Sequence, residues 1–260
     1  MFTGKLQAHR GDSHDFPENT MLAFREAVRE GYDIIEFDPK ITRDGVAVVL
    51  HDRTLDRTGR IAGGSIAGET EISKLDYRDL KDVDVGMWKH PRFAGIHIPT
   101  LSQALDYMKS VRIEAKIDNV IETFSEAGRA AVYDAVSRHG DASLTGFTFT
   151  RFDLMEEAAA RFPQAPLHYD GAVTPEALAA LKSVASGHKT YVWMRFDNEL
   201  TSWNKNPPVN IEYAQMIKRD FLLGVWILDS DEQLEKVRRF LPDVVETTGA
   251  VKPRAGRIGA

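Results

Sequence analysis

The chain has 260 residues, of which 43% are hydrophobic, and it carries a formal net charge of −6 with no cysteine. This length and apolar content suit one large folded domain or two small ones, and they argue against disorder. The acidic balance argues against binding to nucleic acid, which requires a basic surface, and the lack of cysteine excludes disulfides and thiolate metal sites.

Short apolar runs alternate with helical patterns such as NTMLAFREAVREG along the chain. The runs predict eight strands, near residues 6–9, 33–38, 111–117, 145–149, 165–169, 190–195, 222–228 and 244–247. Eight strand–helix units in this length are typical of a (β/α)₈ TIM barrel. The alternative is a doubly wound open sheet, which usually has a glycine-rich phosphate loop after its first strand. The segment at that place, HRGDSHDFPENT, is not such a loop.

One segment, PKITRDGVAVVLHD, interrupts the alternation after the second strand. Its Asp44-Gly45 pair predicts a hairpin with a two-residue turn. In that register Asp38 lies opposite His51, and opposed side chains of an antiparallel pair share a face. Pro39 favours a bulge, which would shift the register by one residue.

A polar segment rich in aspartate, glycine and lysine follows the hairpin, at about residues 53–98. It ends before a helix that Thr100 or Ser102 is suited to cap. We therefore predict a single barrel domain, 1–260, with a small insertion after the hairpin of the second strand.

The carboxyl ends of barrel strands carry the active site in this fold. The ends of the first three predicted barrel strands and of the hairpin offer seven reactive side chains: His9, Arg10, Glu36, Asp38, His51, Glu114 and Lys116. Glu36 and Asp38 are two residues apart and so point to the same face, and the same holds for Glu114 and Lys116. We expect all seven side chains to meet at one mouth of the barrel.

Three carboxylates, from Glu36, Asp38 and Glu114, would repel one another at this mouth unless a cation lay among them. A set of oxygen ligands alone favours Mg²⁺ or Ca²⁺ over zinc. The sequence therefore predicts one divalent cation as cofactor.

The remaining four residues indicate chemistry on a phosphate. Arg10 and Lys116 add positive charge beside the metal, which makes an anion site suited to phosphate. Histidine side chains titrate near neutrality, so His9 and His51 are suited to proton transfer. The set predicts a metal-assisted phosphoryl-transfer site.

Seven motifs in this order carry a family resemblance: HRG, PENT, IIEFD, TRDG, VVLHDRTLDRT, IPTL and IEAK. Together they resemble the glycerophosphodiester phosphodiesterase family, closely from residue 7 to about 118. The resemblance is weaker later, where GFTFTRFDLM and GVWILDSDEQL fall at similar strands. Departures are the acidic DSHDFPENT loop and ETTGAVKP, where Gly249 stands in place of an aspartate common in the family.

The resemblance implies a (β/α)₈ barrel with an insertion, and it assigns the same seven residues. It implies a divalent cation held by Glu36, Asp38 and Glu114, an acid/base pair of His9 and His51, and phosphate contacts from Arg10 and Lys116.

The predicted activity is metal-dependent hydrolysis of glycerophosphodiesters, or of a similar small phosphodiester, to an alcohol and a glycerol-phosphate-type product. His9 is assigned as base and His51 as acid, and either water or a substrate hydroxyl can be the nucleophile. One alternative is a lyase of the sphingomyelinase D type, which forms a cyclic phosphate. Its hallmark C-terminal tail is absent, and the polar insertion favours a soluble substrate. The other alternative is an inactive barrel that only binds phosphodiesters.

The N-terminal segment MFTGKLQAHRG lacks the charged and apolar regions of a signal peptide, and no apolar run reaches the length of a membrane span. The expectation is therefore a cytoplasmic protein without stable membrane insertion. Its expected partner is a small phosphodiester and not a nucleic acid.

Overall fold

The computed structural model describes residues 2–62, 64–66, 68–197 and 206–253. The predicted domain, 1–260, and the predicted insertion, 53–98, each include residues outside these ranges. The strands are, in chain order, β1 (Lys5–Ala8), β2 (Ile34–Phe37), β3 (Pro39–Ile41), β4 (Ala47–Val49), β5 (Glu114–Ile117), β6 (Thr145–Phe149), β7 (Leu167–Tyr169), β8 (Thr190–Arg195), β9 (Leu222–Trp226) and β10 (Val244–Thr247). The α-helices are α1 (Met21–Glu30), α2 (Tyr77–Leu80), α3 (Leu101–Val111), α4 (Glu126–His139), α5 (Phe152–Arg161), α6 (Pro175–Val184), α7 (Ile211–Ile217) and α8 (Asp231–Val237).

Eight of these strands form a closed barrel in the order β1-β10-β9-β8-β7-β6-β5-β2, and all neighbouring pairs are parallel. Helices connect the barrel strands, so the (β/α)₈ prediction is confirmed and the open sheet is excluded. Each of the eight predicted barrel strands is present. No helix among the described residues combines the length and apolarity needed to cross a bilayer.

Helix caps fix where the chain leaves each strand end and enters the next helix. The Thr20 hydroxyl accepts from the backbone N–H of Ala23 at 3.2 Å and so begins α1. Thr100, one of the two predicted caps, begins α3 in a reciprocal capping box with Gln103. Such caps satisfy backbone donors that the first helical turn leaves unpaired.

The hairpin of β3 and β4 differs from the predicted two-residue turn. Its turn spans three residues, 43–45, and Gly45 takes the left-handed conformation at φ 81° that such a turn requires. The backbone N–H of Leu50 donates to the Asp38 carbonyl at 2.9 Å. Asp38 therefore faces Leu50, and the predicted pairing of Asp38 with His51 is wrong by one residue.

The segment between β4 and α3 contains α2 and packs its apolar side chains against the hairpin. This second apolar cluster is separate from the main core and comprises Val48, Leu50, Leu55, Ile72, Leu80, Val83, Val85 and Ile98. The insertion is thereby fixed to the hairpin that follows β2.

Large rings and glycines alternate inside the barrel. A side chain at Gly146 would overlap the His168 ring, and one at Gly224 would overlap the Trp193 ring. Trp193 donates its indole N–H to His168 Nδ1 at 3.0 Å, and His168 stacks on Tyr191 with ring centroids 4.8 Å apart. This aromatic layer fills the barrel interior below the mouth.

We expect Gly224→Ala to destabilise the protein by about 1–3 kcal/mol, because the added methyl group would force Trp193 out of its position. Urea unfolding would measure the change. Gly64→Ala is the control, since its new methyl group would meet only the Ile61 carbonyl at 3.8 Å. Equal midpoints for Gly224→Ala and the unsubstituted protein would contradict this packing.

Candidate active site

The ends of β1 and β2 place four of the seven predicted residues at the mouth. His9 and Arg10 follow β1, and Arg10 adopts the left-handed conformation at φ 59° in the turn after that strand. The Arg10 backbone N–H donates to Glu36 Oε2 at 2.9 Å, and its guanidinium Nε lies 3.4 Å from Asp38 Oδ2. The structure therefore brings these four predicted residues together.

A cluster of three carboxylates lies at the ends of β2 and β5. Ligand oxygens of Glu36, Asp38 and Asp118 all lie within 4.8 Å of one another. Glu36 is 1% exposed and Asp38 is 4% exposed. Three like charges at this depth are unfavourable unless a cation lies among them.

The protonation of this cluster reflects that crowding. Burial and then Asp38 raise the pKa of Glu36 well above its usual range, and the same two causes raise the pKa of Asp118. Arg10 lowers the pKa of Asp38 despite its burial. A set of carboxylate oxygens, two of them from buried residues, fits Mg²⁺ or Ca²⁺ by donor type. We call Glu36, Asp38 and Asp118 the acidic cluster.

Glu114 does not join the acidic cluster. It is the first residue of β5, at the amino end of the barrel, where its Oε1 accepts from Lys5 Nζ at 2.6 Å and from Lys189 Nζ at 2.8 Å. Asp118 lies four residues further along the same face, about 13 Å away at the rise of a strand. The structure thus puts Asp118 where the sequence analysis expected Glu114.

Lys116 lies in the mouth, as predicted, and is paired with a carboxylate that the sequence analysis missed. Its Nζ lies 3.2 Å from Glu246 Oε2 and 4.3 Å from the centroid of the Trp193 ring. Glu246, on β10, is 4% exposed and also accepts from Gln7 Nε2. Glu246 is the one charged residue in the apolar run of β10, VVET, and that was the available signal.

His9 lies between two buried carboxylates. Its Nε2 is 3.7 Å from Glu246 Oε1 and 4.0 Å from Glu36 Oε2. Burial lowers the pKa of His9 to about 4, although Glu246 opposes the shift. A neutral imidazole can accept a proton, and the Glu246 carboxylate would stabilise the cation that results.

His51 approaches the mouth from the end of the hairpin and is more exposed. Its side chain is 41% accessible, and its Nδ1 lies 2.6 Å from Asp52 Oδ1. His51 also contributes to the lowered pKa of Asp38, so the two side chains are close enough to interact electrostatically. His9 thus lies against Glu36 of the acidic cluster, and His51 interacts with Asp38 of the same cluster.

The PENT motif orients the acidic cluster and Arg10. Glu18 Oε1 accepts from Arg10 Nη1 at 3.0 Å. Asn19 donates from Nδ2 to Asp38 Oδ2 at 2.8 Å, and it accepts from the Asp38 backbone N–H at 3.3 Å. These contacts hold one guanidinium and one carboxylate in fixed directions.

The sequence analysis missed two further ionisable groups at the mouth, one buried and one half-buried. Lys40 is 6% exposed, and burial lowers its pKa. Asp170 follows β7, where burial raises its pKa to about 7 and the Trp226 side chain hydrogen-bonds to it. Asp118 and Asp170 each follow directly after a buried barrel strand, and this position is a signal in the sequence.

The fold and the mouth together define a (β/α)₈ barrel protein with an oxygen-only acidic cluster, flanked by an arginine, a lysine and two histidines. The sequence model of the Glycerophosphoryl diester phosphodiesterase family matches residues 9–186. The chain belongs to this family, and its resemblance to the family is thereby confirmed.

Curated relatives match over shorter segments. A glycerophosphodiester phosphodiesterase of Caldanaerobacter subterraneus subsp. tengcongensis is 38% identical over 116 residues, which cover 42% of this chain and 45% of the relative. Glycerophosphodiester phosphodiesterase 1 of Mus musculus is 37% identical over 100 residues, which cover 38% of this chain and 28% of that relative. The chain thus spans about half or less of the length of these relatives.

Solved structures resemble the chain over nearly its whole length. A glycerophosphoryl diester phosphodiesterase structure from Silicibacter pomeroyi has a TM-score of 0.75 at 21% identity, covering 95% of this chain and 90% of that one. A phosphodiesterase from Oleispira antarctica, in complex with the product sn-glycerol-3-phosphate, has a TM-score of 0.74 at 20% identity. The match covers 95% of this chain and 93% of that one. At this identity the likeness shows the shared barrel fold.

Proposed function

We propose that the chain is a phosphoric diester hydrolase that cleaves glycerophosphodiesters, or similar small phosphodiesters, to an alcohol and a glycerol-phosphate-type product. The observation that carries this proposal is the meeting of the acidic cluster with Arg10 and Lys116 at one mouth. The carboxylates suit a divalent cation, and the two cationic side chains next to them suit a phosphate group. Together they favour a phosphodiester as the substrate. Membership of the family supports the same reaction.

Glu36, Asp38 and Asp118 are the residues that would hold one divalent cation, and we propose Mg²⁺ or Ca²⁺. When bound, such an ion supplies a Lewis acid for a non-bridging phosphate oxygen. This assignment replaces the Glu114 of the sequence analysis by Asp118 and keeps the other two ligands.

Arg10 and Lys116 bind the phosphoryl oxygens and stabilise the charge that grows on them during transfer. Arg10 is held for this role by Glu18 and Asp38, and Lys116 by Glu246 and the Trp193 ring. Their side chains are fixed before substrate arrives, so little reorganisation is needed when the charge develops.

His9 is the proposed base and His51 the proposed acid. The carboxylate of Glu246 beside His9 favours its protonated form once it has taken the proton of the nucleophile. His51 is exposed, so it can regain a proton from solvent after it has protonated the leaving alkoxide. Asp52 holds its Nδ1, which leaves Nε2 for the transfer.

We expect metal-dependent turnover of at least one substrate in a panel of glycerophosphocholine, glycerophosphoethanolamine, glycerophosphoinositol, lysophosphatidylcholine and bis(p-nitrophenyl) phosphate. His9→Ala and His51→Ala should each lower kcat by about 10²–10⁴-fold, the usual contribution of a positioned acid or base. The assays are run with EDTA, Mg²⁺ or Ca²⁺, and phosphorus NMR identifies the products.

A linear phosphomonoester assigns water as the nucleophile, and a cyclic phosphate assigns a substrate hydroxyl. His139→Ala serves as control, since His139 pairs with Asp106 outside the mouth. Unchanged turnover in both mouth variants would overturn the proposed roles of the histidines, and absence of turnover by the metal-loaded protein would overturn the proposed activity.

A further inference from the structure

Arg57, in the insertion, contacts two carboxylates at the mouth, one beside Arg10 and one beside His51. Arg57 contacts Glu18, which holds the phosphate-binding Arg10, and it contacts Asp52, which holds His51. We propose that Arg57 is a positioning residue, which sets Arg10 and His51 relative to each other through these two carboxylates. The inference rests on the proposed phosphodiesterase function.

On the first side, Arg57 and Arg10 share one carboxylate. Arg57 Nη2 donates to Glu18 Oε1 at 2.6 Å, and its Nη1 donates to Oε2 at 3.0 Å. Arg10 Nη1 donates to the same Oε1 at 3.0 Å. Glu18 is only 12% exposed, so its direction is set by the two guanidinium groups. Movement of Arg57 would therefore shift Glu18 and, with it, Arg10.

On the second side, Arg57 shares Asp52 with His51. Arg57 Nε donates to Asp52 Oδ2 at 2.7 Å, and its Nη2 donates to Oδ1 at 3.1 Å. That Oδ1 is the atom 2.6 Å from His51 Nδ1. Burial opposes ionisation of Asp52, but its bonds to Arg57 and His51 lower its pKa to about 2. The carboxylate is thus charged at neutral pH and fixes the tautomer and direction of the imidazole.

The guanidinium geometry is what permits this double contact. Arg57 uses three nitrogens to bind two carboxylates from different loops, and lysine has only one. The Trp88 ring, with its centroid 5.3 Å from the Arg57 guanidinium carbon, supports the side chain from within the insertion. Arg57 thus links the insertion to the mouth through charged contacts, whereas the apolar cluster packs the insertion against the hairpin.

Stability and positioning can be separated at this residue. The Arg57 side chain is 42% exposed, and ion pairs of exposed side chains contribute little to stability. Loss of Arg57 should thus leave the fold nearly as stable while the relative placement of Arg10 and His51 changes. Small displacements of a catalytic group reduce turnover strongly.

The experiment compares Arg57→Gln and Arg57→Lys with Arg43→Gln. Arg43 forms an exposed pair with Asp76 at 2.8 Å, outside the mouth, and serves as a matched arginine control. We expect Arg57→Gln to lower kcat by about 10–100-fold and to weaken the binding of inorganic phosphate in Mg²⁺ buffer several-fold. Arg57→Lys should recover part of the loss, and Arg43→Gln should match the unsubstituted protein in kcat and phosphate affinity.

A spectroscopic readout tests the same link without turnover. At a pH high enough to keep His51 neutral, ¹⁵N NMR of the unsubstituted protein should show its remaining proton on Nδ1, and in Arg57→Gln the two tautomers should mix. Unchanged kcat, phosphate affinity and His51 tautomer in folded Arg57→Gln would overturn the proposal, as would a kcat loss that only follows the folded fraction. If the unsubstituted protein cleaves no phosphodiester, the proposed function fails, while phosphate binding and the His51 spectrum still decide the role of Arg57.

Discussion

Asp118→Asn is expected to abolish the thermal stabilisation of the protein by Mg²⁺ or Ca²⁺ and to lower kcat/KM by at least about 10²-fold. Asp118 supplies one of three carboxylates whose oxygens lie within 4.8 Å of one another, and asparagine removes its charge while keeping its shape. Differential scanning fluorimetry across a metal titration, paired with steady-state kinetics, measures both effects.

Glu114→Gln is the matched control, because Glu114 is the ligand that the family resemblance implied. The substitution weakens its pairs with Lys5 and Lys189 at the amino end of the barrel, so a modest loss of Tm is expected. Metal stabilisation and kcat/KM should both persist. The opposite pattern, in which Asp118→Asn still responds to metal and Glu114→Gln does not, would show that the acidic cluster is assigned wrongly.

Lys116→Met should have the largest combined effect on stability and activity. It leaves Glu246 buried without its cation, which costs about 3–5 kcal/mol of unfolding free energy. It also removes a charge from the proposed phosphate site, which should lower kcat/KM by about 10²–10³-fold. Urea unfolding and kinetics at saturating metal measure the two quantities.

A double variant separates these two losses. Lys116→Met with Glu246→Gln removes both charges, and the amide of the new side chain can still bond to Gln7. We expect much of the stability to return while kcat/KM stays low, with Glu246→Gln alone as the reference. Recovery of activity in the double variant would mean that Lys116 serves the fold and not the phosphate.

The strands of the barrel were predictable because parallel strands buried on both faces appear as apolar runs between helical patterns. The position of each side chain along the barrel axis could not be predicted in the same way. Glu114, Lys116 and Asp118 are two residues apart and so lie on one face of the chain. The register in which Glu36 pairs with Lys116 is needed to show which of them lies level with Glu36 at the mouth. A pattern of period two fixes the face of a strand but not its level.

The prediction of the hairpin was limited because its turn sequence is compatible with two turn lengths. Asp44-Gly45 fits a two-residue turn, yet the chain forms a three-residue turn in which Gly45 alone is left-handed. Both turns place glycine at the same point in the sequence, and they differ by one residue in register. His9, Arg10 and His51 could be predicted to lie at the mouth because they follow strands within short motifs, whereas Glu246 lies far along the chain in a weaker region of the resemblance.

Closure of the barrel between β1 and β10 has a consequence for folding during synthesis. His9, Gln7 and Lys116 meet Glu246 across very long stretches of chain, 239 residues in the case of Gln7. Such distant contacts form late, because the entropy of closing the loop opposes them until both ends are present. The chain must therefore be synthesised as far as Glu246 before these contacts at the mouth can form. Until then Gln7, His9 and Lys116 lack Glu246 as a partner.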